Sequence, residues 1–135
     1  MIGLDTNVLV RYLAQDDVQQ SALATHLIEQ KLSASLPGFI SLMVLVELCW
    51  VLKRIYNATD PELVATVIDV LDSAAFRVEQ RKVVQAALTQ LAQAKAGKTG
   101  LIDALIAALA KHHGCTQTVT FDKGAAKAAG MTLLA

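Results

Sequence analysis

Short apolar runs alternate with longer stretches of helical periodicity from one end of the chain to the other. Met1–Leu4 reads as a brief strand, and Thr6 or Asn7 can cap a helix running to about Ala14. A second helix is expected after Asp17, reaching about Leu32, with Val18, Ala22, Leu23, Leu27 and Ile28 sharing its apolar face. Pro37-Gly38 introduces a strand at Phe39-Ile40, and Ser41 caps a long helix to about Tyr56. Asp60-Pro61-Glu62 combines a capping acid, a proline at the first helical position and an acid near the positive end of the helix dipole. That helix should end near Ser73, before a strand at Phe76–Val78. One further helix is expected from about Arg81 to Ala96, closed by Gly97, and another from about Gly100 to His113, closed by Gly114. A strand at Thr118–Phe121, a short helix at Lys123–Ala129 and a strand at Met131–Leu134 complete the chain. Alternation of this kind predicts an α/β fold with a mostly parallel sheet. Ligands of such sheets bind at the carboxyl ends of the strands.

The 135 residues fit one domain, 1–135, without repeat, low-complexity tract or linker. With 54% hydrophobic and 18% charged residues the chain can bury enough surface to offset its conformational entropy, which excludes disorder. Cys49 and Cys115 stand in no C-x-x-C pattern and read as reduced thiols of a cytoplasmic protein. Met1–Val10 carries Asp5 where a signal peptide would need positive charge and an unbroken apolar stretch. The richest apolar stretch, Phe39–Leu52, contains Glu47 and falls short of the roughly 20 residues a bilayer requires, so no membrane role is expected.

Net charge is zero, but it is segregated. Residues 1–76 hold nine acids and four bases, whereas residues 77–135 hold eight bases and three acids. Such segregation can present a local field to a polyanion. Solvation of ordinary helix faces accounts for the same charges equally well.

One near-motif is a decoy. Ala92 to Thr99 approaches a phosphate-binding loop, but Ala92 stands where that pattern needs glycine. Residues 81–96 also read as an amphipathic helix rather than a buried strand, so Gly97-Lys98-Thr99 is a helix stop followed by the next start.

Four acids sit in unusual company. Asp5 ends the apolar Met1–Leu4, and Asp122 ends Thr118–Phe121, which places both at strand ends. Either alone would be an ordinary turn or capping residue. Glu47 has Met43, Val44, Trp50 and Val51 as helical neighbours and no Lys or Arg on that face, whereas Asp69 shares its face with Asp72 and Ser73 and reads as solvated. A buried lone carboxylate is costly, so Glu47 is expected to meet a partner or a cation. Asp103, flanked by Ile106 and Ala107, suits the third position of a helix capped by Gly100. Taken together, carboxylates without basic partners repel unless a cation holds them, and oxygen-only ligands select hard ions such as Mg²⁺ or Mn²⁺. Such an ion equips a site to attack a phosphodiester. The histidines offer no rival, since His26 is isolated and adjacent His112 and His113 should point in different directions.

Met1-Ile-Gly-Leu-Asp-Thr-Asn-Val-Leu-Val10, the Glu47 helix, Asp103-Ala-Leu-Ile-Ala107 and Thr120-Phe-Asp-Lys123 together resemble the PIN-domain family. The closest likeness is to VapC-type toxins of bacterial toxin–antitoxin pairs, and the blocks run in order along the whole chain. The resemblance implies an α/β/α sandwich around a mostly parallel central sheet of about five strands. It also implies an Mg²⁺- or Mn²⁺-dependent endoribonuclease with Asp5, Glu47, Asp103 and Asp122 as its catalytic and metal-holding acids. Thr6, Asn7 and Thr120 fall beside the first and last acids, in outer hydrogen-bonding or capping roles. A homodimer, an RNA substrate such as tRNA, and a VapB-like antitoxin whose C-terminal segment covers the site are implied as well. Trp50 and Tyr56 on one helix, with Val64, Val67 and Leu71 on another, suit such partners or an ordinary core. The chain departs from many relatives in carrying Gly100 where they have another Asp, which can weaken an outer hydrogen bond or alter metal affinity.

Two other readings stay open at this point. A catalytically silent, metal-binding PIN module that binds RNA or protein would share the same acids. A small-molecule phosphohydrolase would begin with an Asp-x-Asp, but Asn7 stands where its second Asp belongs.

Overall fold

Two glycine- or proline-led breaks and a set of side-chain caps divide the chain into short strands and helices. A computed structural model describes residues 1–93 and 100–135. The expected end of the fifth helix at Ala96, its stop at Gly97 and the Gly97-Lys98-Thr99 decoy lie outside the described residues. The architecture is mixed α/β, and the described residues gather into two compact units, Met1–Glu79 and Gln80–Ala135.

In the first unit, β1 (Ile2–Gly3), β2 (Gly38–Ile40) and β3 (Phe76–Val78) form a parallel sheet with β2 in the middle. Ile2 pairs with Gly38, and Gly38 with Phe76, through to Ile40 opposite Val78. Gly38 lies at a crowded point, where a side chain would force its neighbours to shift. A Cβ there would sit 2.7 Å from Leu4 Cδ1 and 2.8 Å from Leu32 Cδ1. Helices α1 (Thr6–Ala14) and α2 (Val18–His26) connect β1 to β2, while α3 (Leu42–Arg54) and α4 (Asp60–Asp72) connect β2 to β3. Parallel strands need crossovers of this length. Leu9, Ile40, Leu45, Leu48, Cys49 and Val67 are fully buried among them.

Ser41 caps α3 as expected, accepting from the Val44 N–H at 3.1 Å. For α4 the cap falls one residue earlier than expected. Thr59, not Asp60, accepts from the Glu62 N–H, and Glu62 Oε1 accepts from the Thr59 N–H at 2.9 Å. This reciprocal capping box satisfies two helix-end donors and leaves Asp60 as the first helical residue. Similarly, Asp5 rather than Thr6 or Asn7 caps α1.

The α2 face is rotated from the expected one. Val18 and Leu23 are 91% and 71% exposed, and Ala22 is exposed too, while Ser21, Ala24 and Ile28 face inward. Small residues at 21 and 24 let α2 approach α1 closely, and that stripe outcompetes the larger apolar one. A π-helical turn, Leu27–Lys31, follows, and its i+5 bond from the Leu32 N–H to the Leu27 carbonyl (2.9 Å) accompanies burial of both Ile28 and Leu32. Arg11, Asp16 and Tyr56 then clasp α1 to the end of α3. Arg11 Nη1 lies 3.1 Å from Asp16 Oδ1, and the Tyr56 hydroxyl donates to Asp16 Oδ2 at 2.6 Å.

In the second unit α5 (Arg81–Gln93) packs along α6 (Leu101–His112), with Val83, Val84, Ala87, Ala104 and Leu105 buried. Gly100 caps α6, and Gly114, at φ +88°, turns the chain out of it as expected. The rings of His112 and His113 meet edge to face at 5.4 Å instead of diverging, because the second lies where the helix ends. Strands β4 (Val119–Thr120) and β5 (Thr132–Leu133) pair in parallel across the short helix α7 (Lys123–Ala128). Five strands stand near the five expected positions, and every pairing among the described residues is parallel. Their hydrogen bonds group them as three and two.

Two outcomes follow for stability. Ser41→Ala should cost about 1 kcal/mol and Leu48→Ala about 2–5 kcal/mol in denaturant unfolding, the first through a lost cap and the second through a cavity. The Tyr56 hydrogen bond, aided by Arg11, holds the Asp16 carboxyl below its ordinary range, and the Thr59 amide does the same for Glu62. A carboxyl depressed in the folded state stabilises the fold above its unfolded value, and that contribution disappears as pH falls through the folded one. Stability should therefore decline with acidification below the ordinary carboxylate range, and less steeply in Asp16→Asn, measured by urea unfolding across pH.

Candidate active site

The apolar run that makes β1 ends at Leu4, and the next residue, Asp5, is exposed at the junction with α1. Its Oδ1 accepts from the Thr6 N–H at 2.8 Å, which fixes the carboxylate against the first turn of the helix. Oδ2 bonds nothing among the described residues. Thr6 is 3% exposed, and its Oγ1 is buried without a hydrogen-bond partner among the described residues. An orphaned buried hydroxyl costs about 1–3 kcal/mol unless water or another group satisfies it. Asn7 is exposed and lines a groove of about 350 Å³ with Val8, Leu23 and Leu27.

Glu47 departs from expectation. It is exposed on α3, because Leu45, Leu48, Cys49 and Leu52 form the buried stripe and Glu47 lies about 160° from Leu45 and about 140° from Leu52, the two residues that centre it, at roughly 100° per residue. Water therefore solvates its charge, and burial supplies no reason for a cation there. Its neighbours on the outer side include Met43, 83% exposed, and Trp50, 51% exposed and covered in part by the Arg54 guanidinium at 5.7 Å. Asp69 is exposed as expected. Val67 and Leu71 belong to the core, Val64 is half-buried, and Tyr56 is held by Asp16.

The second unit carries the other two acids. Asp103 is half-buried in the first turn of α6, third after its Gly100 cap, where a negative charge complements the helix dipole. Asp122 is exposed between β4 and α7 and caps the latter. Its Oδ1 accepts from the Gly124 N–H at 2.8 Å and the Ala125 N–H at 3.4 Å. Thr120 Oγ1 accepts from the Asp122 N–H at 3.0 Å, so Thr120 anchors the backbone of the acid.

Asp5 and Glu47 thus belong to one unit, Asp103 and Asp122 to the other. Within neither unit do three or more His, Cys, Asp or Glu side chains gather closely enough to hold a metal ion among the described residues. Among those residues Asp5, Glu47 and Asp122 stand in no ion pair. The donor types nevertheless fit a hard divalent ion, being carboxylate and hydroxyl oxygens throughout. Sequence reasoning missed the Arg11–Asp16–Tyr56 clasp that braces α1 behind Asp5, and no local signal could have revealed partners separated by up to 45 residues.

Because asparagine caps a helix about as well as aspartate, Asp5→Asn and Asp122→Asn should keep the wild-type unfolding midpoint, while Asp122→Ala should lose about 1 kcal/mol. Chemical denaturation of the three variants checks this.

The two parts of the chain that carry the acids share a single family match. The model of the PIN domain matches residues 2–131, and no curated protein matches the chain. The match includes Asp5, Glu47, Asp103 and Asp122. PIN domains are in general nucleases and typically work with divalent metal ions. With a match that extends over nearly its full length, the chain belongs to the PIN domain family.

Proposed function

We propose that this PIN domain, residues 1–135, is an Mg²⁺- or Mn²⁺-dependent endoribonuclease, the VapC-type toxin of a type II toxin–antitoxin pair. The observation that carries the reading is the pair of strand-end aspartates, Asp5 and Asp122, inside a family match that includes all four acids. Each gives Oδ1 to its helix amides and leaves Oδ2 without a partner among the described residues.

In this reading Asp5, Glu47, Asp103 and Asp122 hold the ion. A divalent ion, when bound, lowers the pKa of water and offsets negative charge growing on a phosphate. The protein's own part is positional. The Thr6 amide orients Asp5, the Gly124 and Ala125 amides orient Asp122, and Thr120 fixes the backbone at that acid. Water adds in line to a phosphodiester of structured RNA such as tRNA, and the 3′-oxygen departs with a proton. The products carry 5′-phosphate and 3′-hydroxyl ends. Gly100 removes the additional carboxylate that many relatives carry at that place, so metal affinity rests on four acids.

A homodimer and a VapB-like antitoxin accompany this reading. The exposed Met43 and Trp50 on α3 and the groove between α1 and α2 offer apolar surface for partners. The protein acts in the cytoplasm on this account, and no helix among the described residues is long and apolar enough to cross a membrane.

Antitoxin-free protein incubated with total tRNA and Mg²⁺ or Mn²⁺ should give discrete cuts. EDTA should abolish them, and so should Asp103→Asn or Asp5→Asn in variants whose unfolding midpoints match wild type. Retained cleavage by Asp5→Asn at saturating Mg²⁺ would remove Asp5 from the site. Metal binding without cleavage of tRNA or of a broader RNA panel would favour a silent RNA- or protein-binding module instead.

A further inference from the structure

Of the six aromatic side chains in the chain, Phe121 is presented most fully to solvent, at 77% exposed. Tyr12, Phe39, Tyr56 and Phe76 are half-buried, and Trp50 is covered in part by Arg54. Phe121 stands between β4 and α7, immediately before Asp122. Its backbone is tied on both sides. The Thr120 carbonyl accepts from the Leu134 N–H at 2.7 Å, and the Asp122 N–H donates to Thr120 Oγ1 at 3.0 Å. The Gly124 N–H donates to Asp122 Oδ1 at 2.8 Å. A braced chain therefore carries the ring, which meets no other ring among the described residues. An aromatic group ordered in advance loses little freedom when it meets a partner.

The surrounding charge selects that partner. Lys123 and Lys127 lie one turn apart on α7, both exposed, on the side away from the buried Ala125 and Ala128. Neither is in an ion pair among the described residues. The unit that holds them, Gln80–Ala135, has seven bases and two acids. An apolar peptide would use the ring and leave the two ammonium groups unanswered. A single strand of nucleic acid alternates flat base with phosphate and uses both.

From the braced ring and the two lysines on the helix that follows it, we propose that Phe121 is a base-stacking residue. It seats an unpaired nucleotide of RNA, and Lys123 and Lys127 take the neighbouring phosphates. The proposal deepens the nuclease reading and rests on it for RNA as the substrate, since a base seated at Phe121 brings its own phosphate beside Asp122. A paired base has no free face, so the seat takes loops and ends rather than duplex. Every base has a face to stack, so Phe121 positions the strand without reading its sequence.

Binding of end-labelled oligouridylate to the full-length chain is followed by fluorescence anisotropy at low salt in EDTA, beside an abasic strand of equal length and charge. EDTA stops metal-dependent cleavage. The preference for the base-bearing strand is a ratio under one condition, so any affinity that chelation removes cancels from it. Failure of this preference leaves the tRNA cleavage assay untouched, and absence of cleavage leaves the preference measurable.

The wild-type chain should favour the base-bearing strand by about fivefold to hundredfold. Phe121→Ala should erase that preference without changing the salt dependence, and Phe121→Tyr should keep it. Lys123→Ala and Lys127→Ala should weaken both strands and lower the slope of log affinity against log salt by about 0.7 each. In Phe121→Trp on a Trp50→Phe background, the base-bearing strand should quench the indole emission and the abasic strand should not. The proposal is overturned if neither strand binds, if both bind wild type equally, if Phe121→Ala keeps the preference, or if Phe121→Tyr loses it. Equal binding would return the exposed ring to the class of protein-docking surface.

Discussion

Strands of two or three residues cannot hold a fold by their own ladders, and here side-chain caps at the carboxyl ends of β1, β2 and β4 take up part of that task. Asp5 closes β1 into α1, Ser41 closes β2 into α3, and Asp122 closes β4 into α7. Each cap satisfies amides that the first helical turn leaves without partners, and it does so at the edge where parallel sheets expose their ligand sites. The same geometry that starts a helix therefore also aims a carboxylate outward. At Asp5 and Asp122 structure and chemistry share one side chain, with Oδ1 committed to the helix.

This sharing eases an electrostatic conflict. On the nuclease reading, acids brought to one metal repel one another before it arrives, and that repulsion opposes folding. The Asp5 carboxylate stands at the positive end of a nine-residue helix and accepts from the Thr6 N–H, and Asp103 lies in the first turn of a twelve-residue helix. Asparagine could do the capping alone. An ionised carboxylate at such a position is therefore a choice that capping does not explain, and the family match over residues 2–131 gives that surplus charge a context.

The alternation of elements was legible in the sequence because turn chemistry is local: Ser41, Phe76–Val78 and the Gly114 exit all stand where the residues indicated. The inward face of an apolar helix was not. Helix α3 is apolar on nearly every side, so periodicity could not tell which stripe is buried, and Glu47 read as enclosed when it is exposed. On α2 the criterion of size misled. Close approach to α1 favours Ser21 and Ala24 over Leu23, and no scale of hydrophobicity encodes that preference. The cap at Thr59 was missed because Asp60 is itself a good capping residue, and only the reciprocal bond from Glu62 distinguishes the two. Of the four candidate acids, the strand-end positions of Asp5 and Asp122 were readable. Their distribution over two units was not, since it depends on contacts far apart in sequence.

That distribution also sorts the charge. Met1–Glu79 holds ten acids and five bases, while Gln80–Ala135 holds two acids and seven bases, so a neutral chain consists of one unit at −5 and another at +5. For a phosphodiester substrate the two have opposite tasks. Phosphates gain from the lysines of the second unit, including Lys123 and Lys127 on α7, by releasing their counterions. The carboxylates of the first unit repel the same phosphates, and only a divalent cation between them turns that repulsion into attraction. On the nuclease reading the metal is then required for substrate approach as well as for chemistry. Removing it should weaken RNA binding and cleavage together, whereas a binding module that relied on the basic unit alone would keep its RNA in EDTA and lose it only to salt.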